Sequence, residues 1–363
     1  MIKKMIRLGD VATYINGYAF KPEERGNVGI PIIRIQDLTG NAYDLGYYDG
    51  EYPEKIEINN GDVLISWSAS LGVYIWNRGK ALLNQHIFKV IFDKVDIDKN
   101  YFVYAVHRKL DEMSMKSHGA TMKHIIKKDF DATLIPYPAL NEQIEIADNL
   151  DKVLRIIEMR KRELQSLDSL IKARFVEMFG DPAINPMGWE ETTIGNECFY
   201  IKDGPHKSLP DIGKENGGHP FISVRNIVNG HIDFSTARYI SDEDYADAIK
   251  KCHPERGDML YSKGGTTGIA KLIDIDEEFA NWVHVAVLKF DKSRLNGIFF
   301  ENMLNGDYCY NQSQRLTKGI ANRDLVLSAM AQIKMYRPSI ELQNQFADFV
   351  HQVDKSKVVD KIA

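Results

Sequence analysis

The chain has 363 residues, is 44% hydrophobic and 27% charged, and carries a formal net charge of −5 at pH 7, the balance of a globular protein with room for two or three domains. A net negative charge excludes wholesale coating of nucleic acid and leaves local basic faces open. No run of 18 apolar residues and no signal-peptide pattern is present, and Cys198, Cys252 and Cys309 form neither a zinc pattern nor an even disulfide set, so no membrane partner and a reducing, cytoplasmic setting are expected.

In chain order, residues 6–16 read as a short amphipathic helix. Residues 29–38 read as a strand, with Ile32, Ile33 and Ile35 alternating with Arg34 and Gln36. A Tyr- and Gly-rich loop follows. Gly61-Asp62 is a turn before the apolar strand Val63-Leu64-Ile65. Further strands are expected at 73–76, 82–92 and 130–138, with a helix over 100–115. Residues 141–179 contain no Gly and no Pro. Ala147, Leu154 and Phe175 fall on one seven-residue series, and Leu150, Ile157, Leu164, Ile171 and Met178 on another. Two interleaved series predict a long helix with one apolar stripe, about 57 Å at about 1.5 Å per residue. Lys161 and Asp168 interrupt the first series. Gly180 and Pro182 stop the helix.

The pattern then restarts. Pro220-Phe221-Ile222 echoes Pro31-Ile32-Ile33, and Gly257-Asp258-Met259-Leu260-Tyr261-Ser262 echoes Gly61-Asp62-Val63-Leu64-Ile65-Ser66. Asn281 and His284 take the places of Asn84 and His86. Gly319 echoes Gly119, and the Pro338 and Gln343 helix start echoes Pro138 and Gln143. The offset is 189 at Pro31/Pro220, 196 at Gly61/Gly257 and Gly72/Gly268, and 200 at Gly119/Gly319 and Pro138/Pro338. An offset that is constant within blocks and grows only across loops means a duplicated domain, and its period far exceeds that of a solenoid. The expected limits are a first β-rich domain over 1–140, a helix over 141–180, a second β-rich domain over 181–340 and a short helix over 341–363.

Enzymatic motifs are thin, and no catalytic residue and no metal-ligand set is assigned. Ser262-Lys263-Gly264-Gly265-Thr266-Thr267-Gly268 lacks the Gly-Lys-Ser/Thr ending of a phosphate loop and reads as a linkage between strands. No dinucleotide fingerprint or nucleophile elbow is present. Binding residues are better supplied. The loops after the Gly-Asp strands carry Ser66, Trp67, Ser68 and Ser70 in the first copy and Lys263, Thr266 and Thr267 in the second. Lys116, His118, Thr121 and Lys123 in the first copy, and Arg315, Lys318, Asn322 and Arg323 in the second, join them as candidate DNA contacts. Lys and Arg hold phosphates, whereas Asn, Gln and Arg can read base edges. Each residue taken singly is more readily an ordinary solvated side chain, and Gln36 and Arg225 can equally face solvent. His86 and His284, in apolar strands, read as structural.

Several of these features together resemble the specificity subunit of type I restriction–modification systems. They are the long helix followed by Phe179-Gly180-Asp181-Pro182 and Asn185-Pro186-x-Gly188-Trp189, the repeated Gly-Asp strands, and the helix starts at Pro138 and Pro338. The resemblance implies an α+β fold of two tandem β-rich target recognition domains related by a pseudo-twofold repeat. Their helices would pack as an antiparallel coiled coil through Ala147, Leu150, Leu154, Ile157, Leu164 and Ile171 against Leu342, Phe346 and Val353. It further implies a subunit without catalysis or cofactor of its own, reading a bipartite double-stranded DNA target. Its partners would be two adenine-N6 methyltransferase subunits, which use S-adenosylmethionine, and restriction subunits, which use ATP and Mg. One departure stands out: the second helix has at most 23 residues from Glu341 to Ala363. It is expected to leave the C-terminal half of the long helix, around 164–178, without a partner. A stand-alone methyltransferase or nuclease with an unrecognised site, and a protein-binding scaffold, are the alternatives.

Overall fold

The computed structural model describes residues 4–40, 45–116, 125–320 and 322–362, with backbone alone for 114–116 and 358–362. It divides into two compact units, Met1–Met159 and Arg160–Ala363. In unit 1 a four-stranded antiparallel sheet runs Thr13–Asn16, Ile87–Ile91, Val63–Ser66, Gly72–Ile75. A second sheet runs Gly46–Tyr48, Ile30–Ile33, Ala81–Leu83, Glu57–Ile58, its middle pair parallel. A two-stranded ribbon pairs Met5–Arg7 with Leu134–Pro136. Unit 2 repeats this plan. Its antiparallel sheet is Cys198–Asp203, Val285–Phe290, Met259–Ser262, Ala270–Leu272, and its mixed sheet is Arg238–Ile240, His219–Ile222, Ala280–Asn281. Its ribbon pairs Glu190–Thr193 with Lys334–Arg337.

The Gly-Asp strands are central because both of their faces are buried. Side chains alternate along a strand, so Val63 and Ile65 enter one apolar cluster with Phe88 and Phe102, while Leu64 enters the other with Ile32 and Leu82. Met259 and Tyr261, against Leu260, divide in the same way. The repeat extends to single hydrogen bonds. Gly61 (φ +94°) and Gly257 (φ +88°) turn the chain where a side chain would be strained. Asp62 accepts from the Asn59 amide at 2.8 Å and pairs with Lys89 at 3.0 Å. Asp258 accepts from the Glu255 amide at 2.9 Å and pairs with Lys289 at 2.5 Å. Gln143 Oε1 accepts from the Asp98 amide and its Nε2 donates to the Pro138 carbonyl. Gln343 does the same with Asn296 and Pro338. The repeated Pro and Gln thus tie each helix start to its own unit.

Four local expectations are corrected. Residues 6–16 form strand, one helical turn (Leu8–Val11) and strand, because pairing with Leu134–Pro136 and Ile87–Ile91 takes the backbone on either side. The strand expected over 29–38 stops at Ile33. The Asp37 carboxylate accepts from the Arg34 amide at 2.8 Å and starts the helix Ile35–Thr39, a local capping bond that overrides the alternating pattern. The segment 130–138 is a helix, Lys127–Ala132, then the short strand Leu134–Pro136. The match of Asn84 with Asn281 is off by one. Asn84 and Trp282 are the residues whose amides donate to the Ile33 and Ile222 carbonyls.

The central helix is continuous over Leu140–Phe179. It ends where Gly180 (φ +76°) returns its amide to Val176 and Trp189 Nε1 donates to the Phe179 carbonyl at 2.8 Å, which accounts for the Gly and Trp after it. Within unit 2 the C-terminal helix Ile340–Ile362 runs antiparallel to its second half. Phe346 lies 5.4 Å from Phe175 and 5.5 Å from Phe179, and Lys357 pairs with Asp168 at 2.8 Å. Ile171, Phe175 and Phe179 are buried there with Phe346, Val350 and Val353, and Leu167 and Leu342 pack alongside. Leu164 is half-buried and Ala147 is buried in unit 1. The expectation for the second half is therefore reversed. It is covered, and Leu150 (38% exposed), Leu154 (50%) and Ile157 (44%) in the first half are the open stripe. The reason is direction: an antiparallel helix starting at Ile340 meets the Phe179 end first.

Burial pushes the Cys198 and Cys309 thiols up to about 12 and Cys252 up to about 11. All three cysteines are free and buried, and the thiolate is the reactive form. The native chain is expected to resist a disulfide reagent at pH 8 and to release three thiols on unfolding in urea. Rapid native labelling would contradict this packing. Among the described residues no helix is long and apolar enough to cross a membrane.

Candidate nucleic-acid interface

In unit 2 the structure brings the two candidate segments of the second copy together. The Gly265 amide donates to the Arg323 carbonyl at 3.0 Å, the Leu325 amide to the Lys263 carbonyl at 2.7 Å, and Lys318 and Asp324 exchange both backbone bonds at 2.9 Å. The loop after strand Met259–Ser262 and the segment after helix Asp307–Leu316 are therefore one surface. Thr266, Arg315, Lys318 and Asn322 are exposed on it, and Arg323 is half-buried. Arg323 donates to Gln314 Oε1 and, at 3.4 Å, to Thr267 Oγ1, so its guanidinium is braced from within.

Three candidates are corrected. Lys263 is 6% exposed, and its ammonium lies 3.0 Å from Asp324 and 3.5 Å from Asp203. Thr267 is buried, with its hydroxyl 2.9 Å from that of Thr317. Ser66 is fully buried and donates to the Ser70 carbonyl at 2.5 Å. A buried cation needs a carboxylate and a buried hydroxyl needs an acceptor. These side chains hold the loops in shape and present nothing outward.

The unit 1 loop is built in the same way. The Trp67 amide donates to the His86 carbonyl at 3.2 Å, and the Ile125 amide to the Trp67 carbonyl at 3.0 Å. The Lys263 amide donates to His284, and the Leu325 amide to Lys263, in the equivalent bonds. Ala69 (φ +57°) occupies the left-handed position that Gly265 (φ +69°) takes in unit 2. Trp67 stacks on Phe88 at 5.5 Å and meets His86 edge-on at 4.9 Å, so it is half packing residue and half surface. Ser68 is half-buried and Ser70 exposed. His118, Thr121, Lys123 and the side chain of Lys116 lie outside the described residues.

The sequence reading missed the partners that shape this face, Asp203, Gln314, Thr317 and Asp324. For Asp203 the clue was another repeated pair, Asn16-Gly17 and Asp203-Gly204. A Cβ on Gly17 would lie 2.0 Å from the Asn84 carbonyl oxygen, and one on Gly204 1.7 Å from that of Asn281, so only glycine fits either strand end. It also missed a pocket of about 240 Å³ lined by Phe221, Ile222, Ser223, Arg225, Arg238 and Trp282. The Arg238 guanidinium lies 5.7 Å from the centre of the Trp282 ring, and Trp282 meets His284 edge-on at 5.1 Å. The His284 backbone carbonyl in turn accepts from the Lys263 and Gly264 amides, so the pocket adjoins the loop cluster. The amides of Tyr239 and Gly213, then the charges of Arg238 and Arg225, hold the Asp211 carboxyl below the usual carboxylate range. The face thus offers exposed cations, amides and hydroxyls around an aromatic wall, the inventory that meets phosphates and base edges.

The twice-built scaffold has counterparts among known proteins. A family model for the type I restriction modification DNA specificity domain matches residues 3–169 and 186–360. The chain is similar to the type I restriction enzyme EcoBI specificity subunit of Escherichia coli, with 26% identity over 383 residues covering 96% of this chain and 78% of that one. It is also similar to the type I restriction enzyme MjaVIII specificity subunit of Methanocaldococcus jannaschii, with 21% identity over 380 residues covering 97% and 86%. Its fold is similar to that in a crystal structure of the type I restriction–modification system S subunit from M. genitalium, with a TM-score of 0.58 and 15% identity over 99% of this chain and 91% of that one. Two matches of one domain model, falling on the two copies of one scaffold, place this chain in the type I restriction–modification DNA specificity family.

Proposed function

We propose that this chain is the DNA-recognition subunit of a type I restriction–modification complex, with each unit reading one half of a split target. In this reading the recognition domains are 1–140 and 181–340, with the helices 141–180 and 341–363 between and after them. The chain has no catalytic site of its own. It works in the cytoplasm with two adenine-N6 methyltransferase subunits, which bring S-adenosylmethionine, and with restriction subunits, which use ATP and Mg. The observation that carries the reading is one scaffold built twice, down to the bonds of Asp62 and Asp258 and of Gln143 and Gln343, with loops of different chemistry. Two readers of different sequences need a shared frame and unlike surfaces. The open stripe of Leu150, Leu154 and Ile157 supports docking of the methyltransferase subunits there.

The test is the methylome of cells expressing the chain with its methyltransferase subunit. One split adenine motif is expected, and exchanging residues 195–336 for those of a relative should change one half of it only. Arg315→Ala and Lys318→Ala should weaken binding to all sequences alike and lower the salt slope by about 1 each. The absence of any split motif would sink the reading.

A further inference from the structure

The two units share a backbone turn where each mixed sheet ends, and they differ in the side chain that it carries outward. In unit 1 the chain leaves strand Ile30–Ile33 and the Arg34 amide donates to Asp37 Oδ2 at 2.8 Å. In unit 2 it leaves strand His219–Ile222 and the Ser223 amide donates to Asn226 Oδ1 at 2.9 Å. Asp37 and Asn226 are buried in both turns. Two residues past each first donor, on the same geometry, stand Gln36 and Arg225, both exposed. The turns adjoin the loop surfaces by matching bonds. The Asn84 amide donates to Ile33 and the Trp282 amide to Ile222, and the following His86 and His284 carbonyls accept from the Trp67 and Lys263 amides.

We propose that Gln36 and Arg225 are matched purine selectors, Gln36 taking adenine and Arg225 taking guanine in their respective half-sites. This rests on the DNA-recognition reading above and assigns it residues. The amide of Gln presents one donor and one acceptor, the complement of adenine N7 and N6. The guanidinium of Arg presents paired donors, the complement of guanine N7 and O6. The Arg225 guanidinium is already oriented, since one of its nitrogens donates to the Thr236 carbonyl at 2.6 Å. A braced planar fork loses less freedom on pairing with a base edge. Arg238, held over Trp282 and 3.4 Å from the Ser208 hydroxyl, walls the same pocket and gives it a second cation. A fixed backbone with an exchanged hydrogen-bonding side chain separates recognition from folding.

The experiment uses the chain in complex with its methyltransferase subunit and compares wild type, Arg225→Gln and Arg225→Ala by methylome sequencing and by selection from randomised duplexes. Arg225→Gln is expected to turn one guanine of one half-site into adenine and leave the other half-site intact. Arg225→Ala is expected to relax that position, with discrimination falling roughly 5- to 150-fold. Gln36→Arg should make the converse change in the other half-site. Thermal melting of the variants reads folding separately, and the exposed position predicts unchanged melting. A motif unchanged by Arg225→Gln, or a uniform loss of affinity at every sequence, overturns the inference and leaves the function standing. A wild-type complex without a split motif overturns both.

Discussion

Phe346→Ala is expected to destabilise unit 2 by about 3–5 kcal/mol, the range for removing a large buried aromatic side chain. Phe346 is fully buried, and it meets the rings of Phe175 and Phe179, which themselves pack on Phe299 at 5.6 and 4.8 Å. The four rings join the end of the central helix, the start of the C-terminal helix and the helix Gly297–Asn305. Truncating one therefore leaves a cavity bounded by three elements that cannot close independently. Leu154→Ala, on the open stripe, should change the stability of the isolated chain by no more than about 0.5 kcal/mol. Urea denaturation of both variants checks the pair. Equal costs would mean that the two halves of the central helix are equally packed, contrary to the burial seen.

Lys263→Ala should cost about 3 kcal/mol, the low end of the range for removing one member of a buried ion pair. Asp203 is 8% exposed and would lose one of its cations. Lys251, 3.0 Å from Asp203, stays to offset part of the loss. The loss should appear as a lower denaturation midpoint in the chain without DNA. The salt slope of DNA binding, referred to the folded fraction, should not move, because the ammonium points inward at Asp324 and Asp203. The opposite result, full stability with a shallower salt slope, would make Lys263 a phosphate contact and contradict its burial.

Much of the architecture was legible because it was written twice. The Gly-Asp and Pro-Gln motifs recur for reasons that single residues enforce: a positive φ at Gly61 and Gly257, and a glutamine bridging a helix start to a neighbouring loop. The long helix was legible from its period and from its lack of Gly and Pro. Short elements were not. At Arg34 one carboxylate three residues on converts an alternating strand pattern into a helix start, and an alternation count does not weigh that bond. The candidate face was partly legible. Thr266, Arg315, Lys318 and Asn322 are exposed where polar, Gly-broken loops place them, whereas Lys263, Thr267 and Ser66 have the same composition and are buried.

The duplicated scaffold, the place of the central helix and its apolar stripe follow from the order of residues, since they depend on periodicity and on residues with strict backbone demands. Which half of that stripe is covered is set by packing, because it depends on the antiparallel direction of the helix Ile340–Ile362 and on where Phe346 meets Phe175 and Phe179. Packing also sets which polar loop residues face outward. A lysine in a glycine-rich loop is a surface cation until two carboxylates more than 50 residues away in sequence, Asp203 and Asp324, close on it, and no local pattern carries that distance.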